Sequence, residues 1–147
     1  MSIKITSTAK DYKMAAGRYN FQIEQGSTVD FTINYTDSAG VAIDLTDYQA
    51  RMDIRPSAGS DTLYATLSSS LQSDFTGINM TPLSTAGLTL PKSSGSLRIY
   101  ISAASSSAFD FKTAQYDLEV YSGSAPVTVT KLLIGQINLI KEVTTSS

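Results

Sequence analysis

The sequence contains no cysteine, no histidine and no tryptophan. Without cysteine the chain has no disulfide framework and no thiolate metal site. Without histidine it has no His-dependent triad, no histidine metal site and no imidazole acid–base catalysis, which excludes a large share of hydrolases and most zinc enzymes. GxGxxG, GxxxxGK[ST] and GxSxG motifs are also missing, so nucleotide-binding and α/β-hydrolase chemistry lack their usual anchors.

Charge is sparse as well. Only 16% of the residues are charged, the net charge is -2, and there is no basic run. A nucleic-acid-binding protein is expected to carry a cationic surface, so that class is set aside. The start, MSIKITSTAKDYKM, has no apolar core of signal-peptide length, and no stretch approaches the ~18 apolar residues of a membrane span. We therefore expect synthesis in a cytoplasm without export by the general secretory route.

What the sequence does contain favours strands. At 147 residues and 41% hydrophobic content it suits one domain with a real core. More than a quarter of the residues are serine or threonine, which favours strands and turns over helices. Residues 1–20 lack clean alternation and are predicted to form an extended N-terminal arm. Residues 21–143 are predicted to form the folded domain, and residues 144–147 a polar tail.

Alternation of apolar and polar residues predicts the main strands, because side chains on a strand point to opposite faces in turn. In TVDFTINYT the apolar residues are Val29, Phe31, Ile33 and Tyr35. The pattern recurs at Ala50, Met52 and Ile54; at Leu97, Ile99 and Ile101; at Tyr116, Leu118 and Val120; and in a last run at Val127, Val129, Leu133, Ile137 and Leu139. Weaker strands are predicted at residues 21–24, 63–67, 78–80 and 88–90.

Turn signals separate these runs at short intervals. Asp37-Ser-Ala-Gly40 has the Asp-first, Gly-last profile of a type I turn, and Pro and Gly mark the turns at residues 56–59, 87, 91–95 and 123–126. Only residues 102–109 have a helical pattern, with Ser102 as the expected N-cap. The predicted fold class is an all-β antiparallel sandwich or barrel of about 7–9 strands with one short helix.

Catalytic motifs are weak. Ser7-Thr8-Ala9-Lys10 fits S-x-x-K by letters, but Ser73-Asp74 is followed by Phe75, so the S-D-N element of those enzymes is missing. Paired carboxylates at Asp44 and Asp47, or at Asp117 and Glu119, are of the type that glycoside hydrolysis uses. The alternative for Asp117 and Glu119 is a solvated strand face with cross-strand ion pairs, to which Arg98 is a candidate contributor. We expect no catalytic residues and no enzyme.

Two binding alternatives remain. Calcium ligands from Asp37, Asp44 and Asp47 are weighed against turns and a structural corner, in which short polar side chains bond nearby backbone amides. The corner is favoured, and no metal or other cofactor is expected. Six tyrosines are expected at edges or on outward faces, where a subunit interface is favoured over a carbohydrate platform: Tyr12, Tyr19, Tyr48, Tyr64, Tyr100 and Tyr121.

The order of these elements resembles a recurrent small β-sandwich of tailed-phage virions, similar to the N-terminal domain of phage baseplate upper proteins. The matching elements are Gln25-Gly26 before a strand, Asp37…Gly40, Asp44-Leu45-Thr46, the strand at 50–55, the helix at 102–109, Tyr116-Asp117-Leu118-Glu119, and Leu132…Gly135 before a strand ending in Val143-Thr144. The resemblance implies an immunoglobulin-like fold and an assembly role with no catalytic residues. No coiled-coil or receptor-binding extension follows the sandwich, so a host-binding role is not expected.

The expected function is that of a non-enzymatic virion protein in a tail, baseplate or neck, made in the host bacterial cytoplasm. The alternatives are a capsid decoration protein and a carbohydrate-binding module that contacts host glycans. The expected partners are other virion proteins and copies of this chain in a ring or lattice, with no nucleic acid, membrane or small-molecule substrate. Residues 1–20 are predicted to dock on a neighbour's sheet edge. The predicted contact residues are Tyr12, Arg18, Tyr19, Arg51, Arg55, Tyr100 and Tyr121.

Overall fold

The computed structural model describes residues 4–9, 17–37, 39–84, 86–123 and 128–141, with residues 4–9 described by their backbone alone. Ten strands and one short α-helix lie in these ranges. The strands are β1 (Lys4–Ala9), β2 (Gly17–Arg18), β3 (Phe21–Glu24), β4 (Val29–Asp37), β5 (Tyr48–Arg55), β6 (Ala65–Ser68), β7 (Gly77–Asn79), β8 (Ser96–Ile101), β9 (Thr113–Ser122) and β10 (Val129–Ile140). Helix α1 spans Ala103–Ser107, and a 3-10 turn covers Lys92–Ser94.

The strands form two sheets. Sheet 1 has the order β1-β4-β8-β7, and sheet 2 has the order β2-β10-β9-β5-β6. Strand β3 also pairs with β10, so β2 and β3 lie one after the other along the same edge, at residues 133–134 and 137–140. The ten described strands therefore occupy nine positions. This arrangement confirms the predicted all-β sandwich of about 7–9 strands with one short helix.

The N-terminal strands differ from the rest of the sandwich in direction. Pairings among β4 to β10 are antiparallel, whereas β1 lies parallel to β4, and β2 and β3 lie parallel to β10. Residues 4–9 and 17–18 of the predicted arm thus have strand partners in their own chain. Residues 1–3 and 10–16, which include Tyr12, lie outside the described residues, as does the tail at 144–147. The docking role of the arm remains a prediction.

Alternation places the core as predicted. In β4, β5, β8 and β9 the predicted apolar positions alternate with outward-facing polar residues, and they are buried except for Val29, which is half-buried. The predicted inward residues that are buried are Phe31, Ile33, Tyr35, Ala50, Met52, Ile54, Leu97, Ile99, Ile101, Tyr116, Leu118 and Val120. Two facing layers of such side chains form the interior of a sandwich, and their removal from water is the main favourable term in folding.

Val129 departs from its prediction. The β10–β9 register shifts between Lys131 and Leu133, so two β10 residues oppose one residue of β9. Such a β-bulge reverses the faces of the strand before it. Leu132 and Leu133 are consequently both buried, whereas Val129 lies beside Tyr121 on the outer face and is 48% exposed. Val127 lies outside the described residues.

The weaker predicted strands and the predicted helix agree in part with the structure. Strand β3 matches its prediction, while β6 and β7 are displaced by one or two residues. Residues 88–90 form no ladder, since Thr89 makes only an isolated bridge to Leu83. Helix α1 begins as predicted at Ser102, whose hydroxyl accepts the Ser105 N–H at 3.0 Å. No helix within the described residues is long and apolar enough to cross a membrane.

Candidate interaction surfaces

The outer face of sheet 2 carries Arg51 and Arg55, which point away from the core as predicted. Each guanidinium group has an acidic partner in its own chain. Arg51 forms an ion pair with Glu119 across the β5–β9 pair, and its guanidinium lies 4.9 Å from the centroid of the Tyr121 ring. The hydrogen bond to Glu119 raises the pKa of Arg51. Any acidic neighbour in an assembly would have to compete with this pair.

Arg55 is held in the same way. Its Nη2 lies 3.1 Å from Asp53 Oδ2, and its Nη1 donates to the Ser60 carbonyl at 3.0 Å. Asp53 also accepts the Thr66 hydroxyl at 3.0 Å. Of these three bonds, one lies within β5, one ties β5 to the turn after it, and one ties β5 to β6. The expected contact of Arg55 with an acidic neighbour stays a prediction, and two of its guanidinium nitrogens already donate to acceptors within the chain.

Asp117 and Glu119 behave as a solvated strand face. Glu119 pairs with Arg51, and Asp117 accepts from Lys131 Nζ at 3.1 Å. The predicted contribution of Arg98 is wrong, because β8 belongs to sheet 1, where Arg98 pairs with Asp30 at 2.7 Å. Exposed pairs of this kind each stabilise the fold by about 0.2–1 kcal/mol. The polar face of sheet 2 is thus largely neutralised by its own residues.

A hollow of about 400 Å³ lies on this face beside the turn at residues 56–60. Its charged lining comprises Arg18, Asp53, Arg55, Asp117 and Lys131. Asp53 and Asp117 are directly opposite in the β5–β9 register, and each has a cation beside it. Arg18, on β2 opposite Ile134, is exposed and has no ion pair among the described residues. Considering only the described residues, the hollow therefore presents one unpaired positive charge, that of Arg18.

The carboxyl groups with shifted pKa values do not resemble those of a general acid. Hydrogen bonds from Thr46 lower the pKa of Asp44, and the bond from Lys141 lowers that of Asp110. A carboxyl group that donates a proton near neutral pH needs the opposite shift. These environments stabilise fixed negative charges, as turns and ion pairs require.

The candidate calcium residues are engaged in turns. Asp37 Oδ1 accepts the N–H groups of Ala39 and Val41, both at 2.9 Å, and Gly40 N donates to the Asp37 carbonyl at 3.0 Å. Asp44 Oδ1 accepts the Thr46 N–H at 2.9 Å and the Thr46 hydroxyl. Across the described ranges, no group of three or more acidic side chains is placed to hold a metal ion. The turn at 37–40 and the corner at 44–46 are as predicted.

The tyrosines occupy different surfaces. Tyr121 faces outward on sheet 2, whereas Tyr100 faces outward on sheet 1 with the Arg98 guanidinium 5.3 Å from its ring centroid. Tyr64 is exposed but stacks on Phe111 with ring centroids 4.8 Å apart. Because Tyr100 and Tyr121 lie on opposite sheets, they do not form the single aromatic row that a carbohydrate platform requires.

Tyr19 was predicted at an edge and is half-buried there. Its ring stacks on Phe21 and lies against Phe31, with centroid distances of 5.8 Å in both cases, and burial raises its pKa. Its carbonyl accepts the hydroxyl of the buried Tyr116 at 2.6 Å. Tyr19 therefore closes one edge of the core, and its ring is less available to a partner than the sequence suggests.

Sequence reasoning missed a polar cluster around Asp74, in the loop between β6 and β7. Asp74 Oδ2 accepts the hydroxyls of Ser102 at 2.5 Å and Ser105 at 2.7 Å, and Oδ1 accepts the Thr76 N–H at 3.1 Å. These bonds hold the pKa of Asp74 far below its usual range. We call Asp74, Thr76, Ser102 and Ser105 the Asp74 clamp. The available signal was an aspartate in a turn and a serine at a helix start, with nothing in the sequence to join them.

Replacing Asp74 with asparagine is expected to lower the thermal stability most at neutral pH. A carboxyl with a depressed pKa in the folded state stabilises the fold above its unfolded pKa, near 3.8, and loses that contribution as the pH falls further. The difference in Tm between wild type and Asp74→Asn should therefore narrow between about pH 5 and pH 2. Thermal denaturation across that range tests this, with Asp61→Asn as an exposed control. A constant difference would contradict the clamp.

No protein-family model matches this chain, and no curated protein matches it either. Among solved structures it is similar to the N-terminal domain of phage TP901-1 ORF48, with 8% identity, a TM-score of 0.45, and 96% of each chain covered. It is also similar to a marsupial T cell receptor, with 11% identity and a TM-score of 0.44, over 84% of this chain and 34% of that chain. At these scores neither likeness carries an argument about family or function.

Proposed function

We propose that this chain is a non-enzymatic structural component of a tailed-phage virion, in the tail, baseplate or neck. The observation that carries the proposal is the spatial relation between sequence elements that resemble the baseplate upper proteins. Gln25-Gly26 and the helix region lie some 80 residues apart in the chain, yet they are bonded to each other. Gln25 Nε2 donates to the Phe109 carbonyl at 2.8 Å, and Gly26 N donates to the Ser106 hydroxyl at 3.1 Å.

These two hydrogen bonds give a physical reason for the two resembling elements to occur together. The turn between β3 and β4 crosses from sheet 2 to sheet 1, and α1 leads from β8 of sheet 1 toward β9 of sheet 2. Both crossings occur at the same end of the sandwich and share hydrogen bonds, so the two elements depend on each other. Two of the resembling elements therefore belong to one connected framework, which supports the resemblance from which the assembly role is proposed.

The surface chemistry supports an assembly role over catalysis. Most charges on the outer face of sheet 2 are paired within the chain, and the shifted aspartates among the described residues all have lowered pKa values. Such a surface suits repeated contacts between rigid parts. Arg18 lines the 400 Å³ hollow and has no ion pair among the described residues, so it is the cation available to an acidic residue of a neighbouring virion protein.

The test is made in the phage that carries this reading frame. Particles lacking the protein should have incomplete tails or a missing layer of density in a cryo-EM reconstruction. Intact and fully infectious particles would refute the proposal. Labelled copies over the whole head would instead identify a capsid decoration protein, because a tail or baseplate position restricts the label to one vertex.

Reversal of the Arg18 charge is expected to impair incorporation without unfolding the protein. Arg18→Glu should lower the amount of protein in purified particles about tenfold, because a like charge facing an acidic partner opposes association. Its Tm should stay close to that of wild type, since Arg18 is exposed and makes no ion pair among the described residues. Lys112→Glu, another exposed cation, is the control. Equal incorporation of both variants would exclude Arg18 from the contact.

A further inference from the structure

Phe75 is unfavourable to the isolated molecule in two respects. Its φ is 68°, and it is the one non-glycine residue among those described with a positive φ. A bulky side chain in this left-handed region clashes with its own backbone. Its side chain is also 69% exposed, so the ring gains little from burial. Neither backbone preference nor packing within the chain accounts for phenylalanine at this position, which points to a contact outside the chain.

The surrounding loop holds the backbone at Phe75 in place. Phe75 N donates to the Gln72 carbonyl at 2.9 Å, and Gln72 N donates to the Thr76 carbonyl at 3.0 Å. The residues on either side of Phe75 belong to the Asp74 clamp, which anchors the loop to the start of α1. A loop backbone that is already fixed loses little conformational entropy on binding, so an exposed ring on such a loop is a favourable anchor for association.

A hollow of about 210 Å³ lies beside this ring, on the outer face of sheet 1. It is lined by Leu71, Phe75, Asn79, Arg98 and Tyr100. Arg98 donates two hydrogen bonds to Asp30, at 2.8 and 2.7 Å, so its charge is neutralised. Leucine and the two aromatic rings make the rim apolar. Phenylalanine, tyrosine and arginine are residue types enriched at protein interfaces.

We propose that this patch binds a second copy of the chain through a two-fold contact, in which Phe75 of each copy enters the hollow of the other. A two-fold interface brings the same surface of both copies together, so a surface that carries a protrusion and a recess side by side can be complementary to itself. The Phe75 patch has both. Its one charged residue, Arg98, is paired with Asp30, so the patches of two copies do not repel. This inference does not depend on the virion role.

Phe75→Asn separates this role from a structural one, since asparagine tolerates the left-handed conformation. Sedimentation velocity over a range of concentrations should show a wild-type dimer and a variant whose dissociation constant is at least about tenfold higher. At concentrations where both are monomeric, the Tm of the variant should equal or exceed that of wild type by up to about 6 °C, because backbone strain is relieved. Leu88→Asn, with the same 69% exposure in another loop, should leave the dimer intact.

A second variant tests the wall of the hollow. Leu71→Asn leaves Phe75 in place and should weaken the dimer as well. The proposal is overturned by a wild-type chain that is monomeric at all concentrations, by a Phe75→Asn variant that dimerises as tightly as wild type, or by a lower monomer Tm in that variant. Failure of Arg18→Glu to affect incorporation would concern the virion role alone.

Discussion

Gly135→Ala is expected to lower the free energy of unfolding by about 3–5 kcal/mol. A Cβ atom at position 135 would lie 2.0 Å from the Tyr19 carbonyl oxygen and 2.9 Å from Cε1 of Tyr116. The nearest atom is backbone, so it cannot be relieved by a side-chain rotation. Tyr19 N also donates to the Ile134 carbonyl at 3.0 Å, so the clash falls where the N-terminal edge strand joins β10.

Separation of Tyr19 from β10 in Gly135→Ala has a second cost. The buried Tyr116 hydroxyl donates to the Tyr19 carbonyl at 2.6 Å, and burial raises the Tyr116 pKa, so the group stays a neutral donor that needs an acceptor. Movement of Tyr19 would leave that donor unsatisfied, at about 1–3 kcal/mol. Urea denaturation measures the total loss in the free energy of unfolding of Gly135→Ala. Faster hydrogen exchange at the Tyr19 amide would show that the loss arises at this junction. Gly123→Ala, where nothing lies within 4 Å of the new Cβ, is the control. Equal costs for the two variants would contradict the close approach.

The strands of the body could be predicted from the sequence because their pattern is local. Ala50, Met52 and Ile54 alternate with charged residues, and a shift of one residue would turn all three away from the core. The turn at Asp37 and Gly40 and the helix start at Ser102 are predictable for a similar reason. In each case the side chain bonds to a backbone group within four residues.

Features that depend on distant partners could not be predicted. In the sequence Arg98 is a candidate contributor to the ion pairs of Asp117 and Glu119, but β8 and β9 belong to different sheets. Which sheet a strand joins is decided by pairing across the whole chain, and the alternation within one strand carries no such information. The bulge that turns Val129 outward has the same origin, since a shift of one residue is invisible in a run with apolar residues on both faces.

The N-terminal strands show a further limit of prediction from the sequence. Residues 4–9 and 17–18 pair in parallel with β4 and β10, yet their sequence has no alternation. Edge strands are held mainly by backbone hydrogen bonds, which any side chain permits. The partner-binding residues are harder still to predict from the sequence. Arg51 and Arg55 have suitable chemistry but are neutralised internally, whereas Phe75 stands out only once its φ and exposure are known.

Gly95→Ala is expected to lower the free energy of unfolding by about 3–4 kcal/mol, through two separate effects. The first is conformational, because Gly95 has a φ of 68°, which costs an alanine about 1–2 kcal/mol. The second is steric. A Cβ atom here would lie 2.5 Å from the Tyr35 carbonyl oxygen and 2.9 Å from that of Ile43. Gly95 thus lies where the end of β4, the segment before β5 and the start of β8 converge.

Gly40→Ala isolates the first effect. Gly40 has a φ of 83°, yet nothing lies within 4 Å of the Cβ position. This variant should cost only about 1 kcal/mol in urea denaturation, so the difference between the two variants measures the crowding at Gly95. That crowding also bears on the corner at 44–46, since Leu45 N donates to the Lys92 carbonyl at 3.1 Å and Gly95 N donates to the same oxygen at 3.2 Å. Displacement of Gly95 should therefore loosen the corner, with faster amide exchange at Leu45 in Gly95→Ala and unchanged exchange in Gly40→Ala. Equal stability losses in the two variants would show that the backbone at residues 35 and 43 yields without cost.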